Sequence, residues 1–147
     1  MSTFFKLSIK EIKQETKNAV SILFEVPEEL KQNFHFIPGQ YITIKKEMEG
    51  NEIRRAYSLC SSKESKAIRI GVKAVENGTF SVFATSKLMV GDVLEVSPPE
   101  GRFILDPVLS NDKKYLAFAA GSGITPVLSM LKSVLESEPD SKFVLMY

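Results

Sequence analysis

Residues 1–106 read as a mainly β unit, a six-stranded Greek-key antiparallel barrel with one helix, and residues 107–147 as the incomplete start of an α/β domain. Two patterns carry this reading. Short stretches of alternating apolar residues recur at the spacing of an all-β barrel, with one helix-like stretch before the last of them. After Phe103 the alternation gives way to an unbroken apolar run, a glycine turn, a helical period and a second apolar run, the order of a single β-α-β crossover.

Phe5, Leu7 and Ile9 alternate as a strand with one buried face, and Val20, Ile22, Phe24 and Val26 repeat the signal after the polar turn 14–18, so these two should pair as a hairpin. Pro27 followed by Glu28 and Glu29 predicts a short helical turn. Pro38-Gly39 releases a third strand over 40–46, with Ile42 and Ile44 on one face and Tyr41 and Thr43 on the other. Glu49-Gly-Asn51 turns the chain into a fourth strand, and 61–65 is a polar loop. Ile68, Ile70, Val72 and Ala74 mark the fifth strand. A helix is expected over 78–87, with Thr79 as a cap and Val82, Phe83 and Leu88 as its inward stripe. Val93 to Ser97 is the sixth strand. Asp106-Pro107 and Asn111 to Lys114 form a linker. Tyr115 to Ala120 is expected to be covered on both faces. The period over Ile124 to Glu136 is helical, with Val127, Leu128, Leu131, Val134 and Leu135 apolar, and Phe143 to Tyr147 begins the next strand.

With 44% hydrophobic residues in 147, the chain can bury a sizeable core. A formal net charge of +1 without a basic run argues against nucleic acid or an anionic membrane as the main partner. The apolar stretch Tyr115 to Leu131 is interrupted by Gly121-Ser-Gly123 and Thr125-Pro126, which argues against a membrane span. The one cysteine, Cys60, excludes an intrachain disulfide and a four-cysteine cluster, so no iron–sulfur centre is expected in this chain. A buried thiol packing as a small hydrophobe is the simplest role for it. Met1 to Lys10 lacks the apolar core of a signal peptide, and a cytoplasmic location is expected.

Four stretches carry chemistry. In Arg54-Arg-Ala-Tyr-Ser58, residues two apart on a strand face the same way, so Arg55 and Tyr57 project together while Ser58 turns aside. A dinucleotide needs such a set: a fork for pyrophosphate, a flat surface for a ring, a hydroxyl for a ring nitrogen. Alone, the same residues equally describe an ordinary strand. Ile70-Gly71-Val72 would admit a close approach at the glycine, or is a bulge. Gly78-Thr79-Phe80-Ser81 opens a helix, where free N–H groups and two hydroxyls favour an anion or simply cap the helix. Gly121-Ser122-Gly123-Ile124-Thr125-Pro126 lies between a strand and a helix, as a dinucleotide-binding turn must, though it lacks the third glycine of the Rossmann fingerprint. His35 has no partners at ligand spacing, and Arg102 suits either an adenine side or a surface ion pair.

Taken in order, these stretches resemble the ferredoxin–NADP reductase superfamily, and the segments FEVPEEL, PGQY, RRAYSLCSS and PPEGRF resemble most the reductase subunits of phenylacetyl-CoA epoxidases. The resemblance implies that Arg55 holds an FAD phosphate, that Tyr57 lies against the isoalloxazine and that Ser58 stands near N5, the two last being the catalytic positions. It implies main-chain contacts from Ala56, Ile70, Gly71 and Val72, a second phosphate grip from Gly78 to Ser81, and a nicotinamide site at Gly121, Ser122, Gly123, Thr125 and Pro126. Lys63 stands where the family has proline, so a looser loop is expected there.

The implied activity is that of an NAD(P)H-dependent flavoprotein reductase, with NADH or NADPH as donor and an iron–sulfur centre or an oxygenase of phenylacetate degradation as acceptor. The alternative is a flavin-binding docking or regulatory module without turnover. The chain is expected to be either a piece of a longer reductase or a natural short form, slow in hydride transfer because only one nicotinamide turn is present. Unpaired strand edges over 113–147 lead to the further expectation of a homodimer, paired by edge or by exchange of helices.

Overall fold

Alternating aliphatics set the sheet. In a computed structural model, which describes residues 3–147, Leu7 and Ile9 of β1 (Phe5–Thr16) and Val20, Ile22 and Phe24 of β2 (Ala19–Glu25) point into one core. The two strands form the expected antiparallel hairpin, with Ile9 opposite Phe24 and Ile12 opposite Ile22. A short 3-10 turn at Glu28–Leu30 follows. β3 (Tyr41–Met48) and β4 (Asn51–Ser58) make a second hairpin, burying Ile42 and Ile44 as the pattern requires. β5 (Ile68–Lys73) buries Ile68, Ile70 and Val72. After α1 (Thr79–Ser86) the chain crosses over, and β6 (Val93–Val96) enters between β1 and β3.

The resulting order is β4-β3-β6-β1-β2-β5, with every pairing antiparallel. β4 and β5 are therefore the two ends of the sheet. They meet at one isolated bridge, Leu59 with Ile70, which closes the barrel around Leu7, Ile22, Ile42, Ile70, Phe80 and Val96. Each fully buried aliphatic side chain of this kind contributes about 1.5–3 kcal/mol.

In α1 the inward residues are Phe80, Ser81 and Ala84, with Leu88 just beyond; Val82, expected inside, is 43% exposed. The helix leans on the barrel through its first turn, so the buried stripe starts two residues earlier than its apolar content suggests.

Beyond the barrel, β7 (Lys114–Phe118) and β8 (Lys142–Met146) pair in parallel, joined by α2 (Ile124–Ser137). Here one expectation is corrected. Only one face of the strand pair is covered: Tyr115, Ala117, Phe143 and Leu145 are half-buried, while Leu116, Phe118, Val144 and Met146 are exposed. Within one chain α2 meets the loop after β4 through two buried serines, while Val127, Met130 and Val134 are buried and Leu135 lies in solvent.

The segment read as a linker is tied down by Glu138, which is 1% exposed at the end of α2. Its carboxylate accepts from Val108 N–H at 3.0 Å, Asn111 Nδ2 at 2.8 Å, Ser141 Oγ at 2.6 Å and Tyr115 hydroxyl at 2.9 Å. Burial alone would raise its pKa, but these donors outweigh burial and hold it at about 2. The same pair pushes the Tyr115 hydroxyl up, through burial first and then the adjacent carboxylate. No helix among the described residues is long and apolar enough to cross a membrane.

Candidate flavin and nicotinamide site

The site begins where the sheet fails to close. Continuing the antiparallel register from the Leu59–Ile70 bridge would set Ser58 opposite Gly71 and Tyr57 opposite Val72, yet no ladder forms there. β4 is paired to β3 along its other edge, and β5 to β2. The edges Ala56–Ser58 and Gly71–Lys73 are therefore left without a ladder between them, and this open seam is the candidate slot.

Arg55 and Tyr57 lie on one face of β4, as the strand period requires. Arg55 is exposed; its guanidinium donates to the Arg54 carbonyl at 2.8 Å and reaches Thr79 Oγ1 at 3.5 Å, whereas neighbouring Arg54 is committed to Glu52. No carboxylate among the described residues forms an ion pair with Arg55. Tyr57 is half-buried and packs on Phe80 with ring centroids 5.8 Å apart. Burial raises its hydroxyl pKa, and the Arg55 charge opposes that rise. Ala56 is exposed and Ser58 half-buried at the strand end.

The start of α1 faces Arg55. Gly78 is its N-cap with no side-chain capping bond, so Thr79 does not cap as expected, and its hydroxyl stays exposed beside the guanidinium. The first-turn N–H groups of Thr79, Phe80 and Ser81 have no partner within the helix. Ser81 differs from its expected role: its buried Oγ accepts from Val75 N–H at 3.2 Å and so fixes the loop before the helix. Gly78 is required for that loop, since a Cβ there would lie 2.3 Å from Ser81 Oγ and 2.6 Å from Val75 Cγ2. The Phe80 side chain belongs to the core, leaving only its main chain for the site.

Gly121, Ser122 and Gly123 form an exposed 3-10 turn leading into α2, with Pro126 in the first helical turn. Thr125 Oγ1 donates to the Ser122 carbonyl at 3.0 Å, which turns its methyl towards β5. That methyl lies 3.4 Å from where a Cβ on Gly71 would be, so the turn overhangs the slot. Stretches far apart in sequence thus meet in pairs, Arg55 with Thr79 and Gly71 with Thr125.

Sequence reasoning missed what holds them together. The loop after β4 is not loose: Ser61 and Ser62 are buried, Ser129 Oγ donates to the Ser61 carbonyl at 2.6 Å, and Lys63 donates its N–H to Ser133 Oγ at 3.0 Å and its Nζ to Asp106 at 2.6 Å. A proline at 63 has no N–H for that bond. The spacing of Ser129 and Ser133, four apart on a helix, was the available signal. Cys60 is buried as expected, and burial raises its pKa more than nearby Lys132 and Arg69 lower it.

Comparison with known proteins gives this geometry a family. Residues 6–104 match the model of the oxidoreductase FAD-binding domain. The chain is 43% identical over 147 residues to a 1,2-phenylacetyl-CoA epoxidase component of Escherichia coli K12, covering 100% of this chain and 41% of that protein. It is 38% identical to the ferredoxin reductase component of 3-ketosteroid-9-alpha-monooxygenase of Rhodococcus rhodochrous, covering 96% and 40%. Phthalate dioxygenase reductase, solved as a modular structure for electron transfer from pyridine nucleotides to [2Fe-2S], aligns at 30% identity with a TM-score of 0.74 over 97% of this chain and 42% of that one. A ferredoxin NADP+ reductase from Neisseria gonorrhoeae, solved with FAD and NADP, shares the fold at 20% identity and a TM-score of 0.76, over 99% and 58%. The chain spans about two-fifths of the length of these curated relatives. It belongs to the oxidoreductase FAD-binding domain family, within the ferredoxin–NADP reductase superfamily.

Proposed function

We propose that the slot between β4 and β5 is the flavin cradle of an NAD(P)H-dependent reductase that passes electrons to an iron–sulfur centre or an oxygenase. The observation that carries this reading is the open seam, bordered by an arginine without an ion-pair partner and overhung by the Gly121–Pro126 turn. The division of labour would fall near residue 106, with the barrel as the FAD unit and 107–147 as the first β-α-β of a nicotinamide unit.

The residues present fit FAD. Arg55, with the free N–H groups of Thr79, Phe80 and Ser81, would hold the pyrophosphate by charge-assisted bonds and the helix dipole. Tyr57 offers a ring face, and the edges of Ala56 and of Ile70–Val72 offer N–H and C=O groups to a flat polar heterocycle. Ser58, at the closed end of the slot, has a hydroxyl to orient a proton on it. Gly121, Ser122 and Gly123 leave open backbone for a second nucleotide, and Thr125 and Pro126 set the angle at which its reactive ring would arrive. Bound FAD supplies the conversion between two-electron and one-electron transfer; the protein supplies orientation and exclusion of water. The names of the relatives support an oxygenase acceptor, and that of the epoxidase component supports a role in phenylacetyl-CoA oxidation.

Incubating the purified chain with FAD, removing free cofactor and adding NADH or NADPH tests the reading. A retained yellow colour that bleaches is expected. Colour without bleaching would support the binding module instead, as the exposed 121–126 turn alone offers a pyridine nucleotide little grip. A colourless protein would overturn the cradle.

A further inference from the structure

Helix α2 has two buried flanks of different chemistry. Val127, Met130 and Val134 are apolar; Ser129 and Ser133, both fully buried, face the loop that continues β4. Four polar contacts fall on three successive turns of that flank. Lys132 Nζ reaches the Cys60 carbonyl at 3.4 Å, Ser129 Oγ donates to the Ser61 carbonyl at 2.6 Å, Ser133 Oγ accepts from Lys63 N–H at 3.0 Å, and Ser137 Oγ lies 3.4 Å from Glu64 Oε1. Ser133 Oγ also donates to the Ser129 carbonyl at 2.7 Å, which fixes its lone pair towards Lys63.

Apolar contact is non-directional and lets a helix slide or roll. Hydrogen bonds to fixed main-chain groups have a preferred distance and angle, so they set both the position of the helix along its axis and its rotation. Ser129 stands one turn after Thr125, the residue whose methyl overhangs Gly71. The gripped loop follows directly on Tyr57-Ser58. The serine contacts therefore join the two sides of the slot at its closed end.

We infer that Ser129 and Ser133 are positioning residues, which with the Lys63 main-chain N–H set the height and angle of the Gly121–Thr125 turn above the open seam. What the seam holds rests on the FAD reading; the positioning does not. By fixing the turn they would fix how a second nucleotide meets the first.

The test compares hydrogen–deuterium exchange of segment 119–128 with that of barrel segment 5–25, in the parent and in Ser129→Ala/Ser133→Ala. Exchange over 119–128 should quicken about tenfold or more for two lost bonds, with 5–25 unchanged; equal protection of 119–128 overturns the inference. Lys63→Pro, which removes the N–H, should reproduce the effect, and Lys63→Ala, which keeps it, should not. The reverse ranking also overturns it. With FAD bound, the double variant should alter the visible circular dichroism of the flavin while leaving its dissociation constant within about twofold of the parent. An unaltered flavin signal there counts against positioning. A parent that takes up no FAD sinks the cradle reading, and the exchange experiment still decides this one.

Discussion

The barrel and the β-α-β unit solve the same problem with different chemistry. The barrel closes a sheet around aliphatic side chains whose strands nearly all have partners, and its stability comes from area removed from water. The β-α-β unit has one covered sheet face, and it is held by two buried serines and one buried carboxylate. Area-driven packing tolerates substitution if volume is kept. Directional bonds do not, but they fix orientation, which is what a turn held above the open seam requires.

Damage to the barrel should be the most costly change. Ile22 is fully buried and lies between Ile12 and Ile70 on the flanking strands. Ile22→Ala should cost about 3–4 kcal/mol in urea denaturation, a large part of the roughly 5–15 kcal/mol typical of a domain. Because α2 rests on the barrel, both halves should lose protection together. A variant in which only the barrel loosened would break the comparison, by showing that the second unit stands alone.

Removing Glu138 should cost less and act on one half only. Glu138→Ala leaves the donors of Val108, Asn111, Tyr115 and Ser141 without their acceptor, a loss of about 2–3 kcal/mol. Exchange should rise over 107–147 and stay unchanged in β1 and β2. The pH dependence follows from its lowered pKa. The folded value is about 2 against an ordinary 4.5, so the carboxylate's contribution is fully present above about pH 4.5 and is lost as pH falls towards 2. Protection of 107–147 should fade over that window in the parent, and the fading should be absent in Glu138→Ala. A parent with flat protection down to pH 2 would show that the latch does not titrate as its surroundings require.

The same contrast explains what was legible in the sequence. Period-two alternation reports directly on a half-buried sheet, so the six strands, both hairpins and the turns at Glu49-Gly50 and Pro38-Gly39 were readable. The position of α1 is legible, but its apolar content points inward at Val82, which is exposed, because a short helix takes its orientation from the surface it lands on. The apolar run of β7 reads as covered on both faces, and its alternating exposure depends on what packs there, which composition does not contain. Ser129, Ser133 and Glu138 were missed because such residues on a helix usually face water, and only their partners at Ser61, Lys63 and Val108 reveal otherwise. At the site, the residue types were legible and their convergence was not: Arg55 meets Thr79 across 24 positions only because the sheet curls.

Within the slot the polar grip should outweigh the ring contact. Arg55→Ala removes the one guanidinium facing the start of α1, and FAD affinity should fall by about 1.5–3 kcal/mol, measured by fluorescence titration, with urea stability close to the parent. Arg54→Ala is the control, since Arg54 is held by Glu52 on the exposed hairpin. Equal losses from both would point to general charge rather than to a directed bond.

The smallest effect is expected at Tyr57, and it separates ring from hydroxyl. The side chain is half-buried against Phe80, so part of its surface already serves the core and only the remaining face is free for a ligand. Tyr57→Leu keeps apolar volume but loses the flat face, which should weaken FAD by about 1 kcal/mol. Tyr57→Phe keeps the face and should bind within a few tenths of a kcal/mol of the parent. If Tyr57→Phe lost as much as Tyr57→Leu, the hydroxyl would be the group that matters. The slot would then resemble the serine contacts under α2, selecting by directed bonds, more than the barrel that carries it.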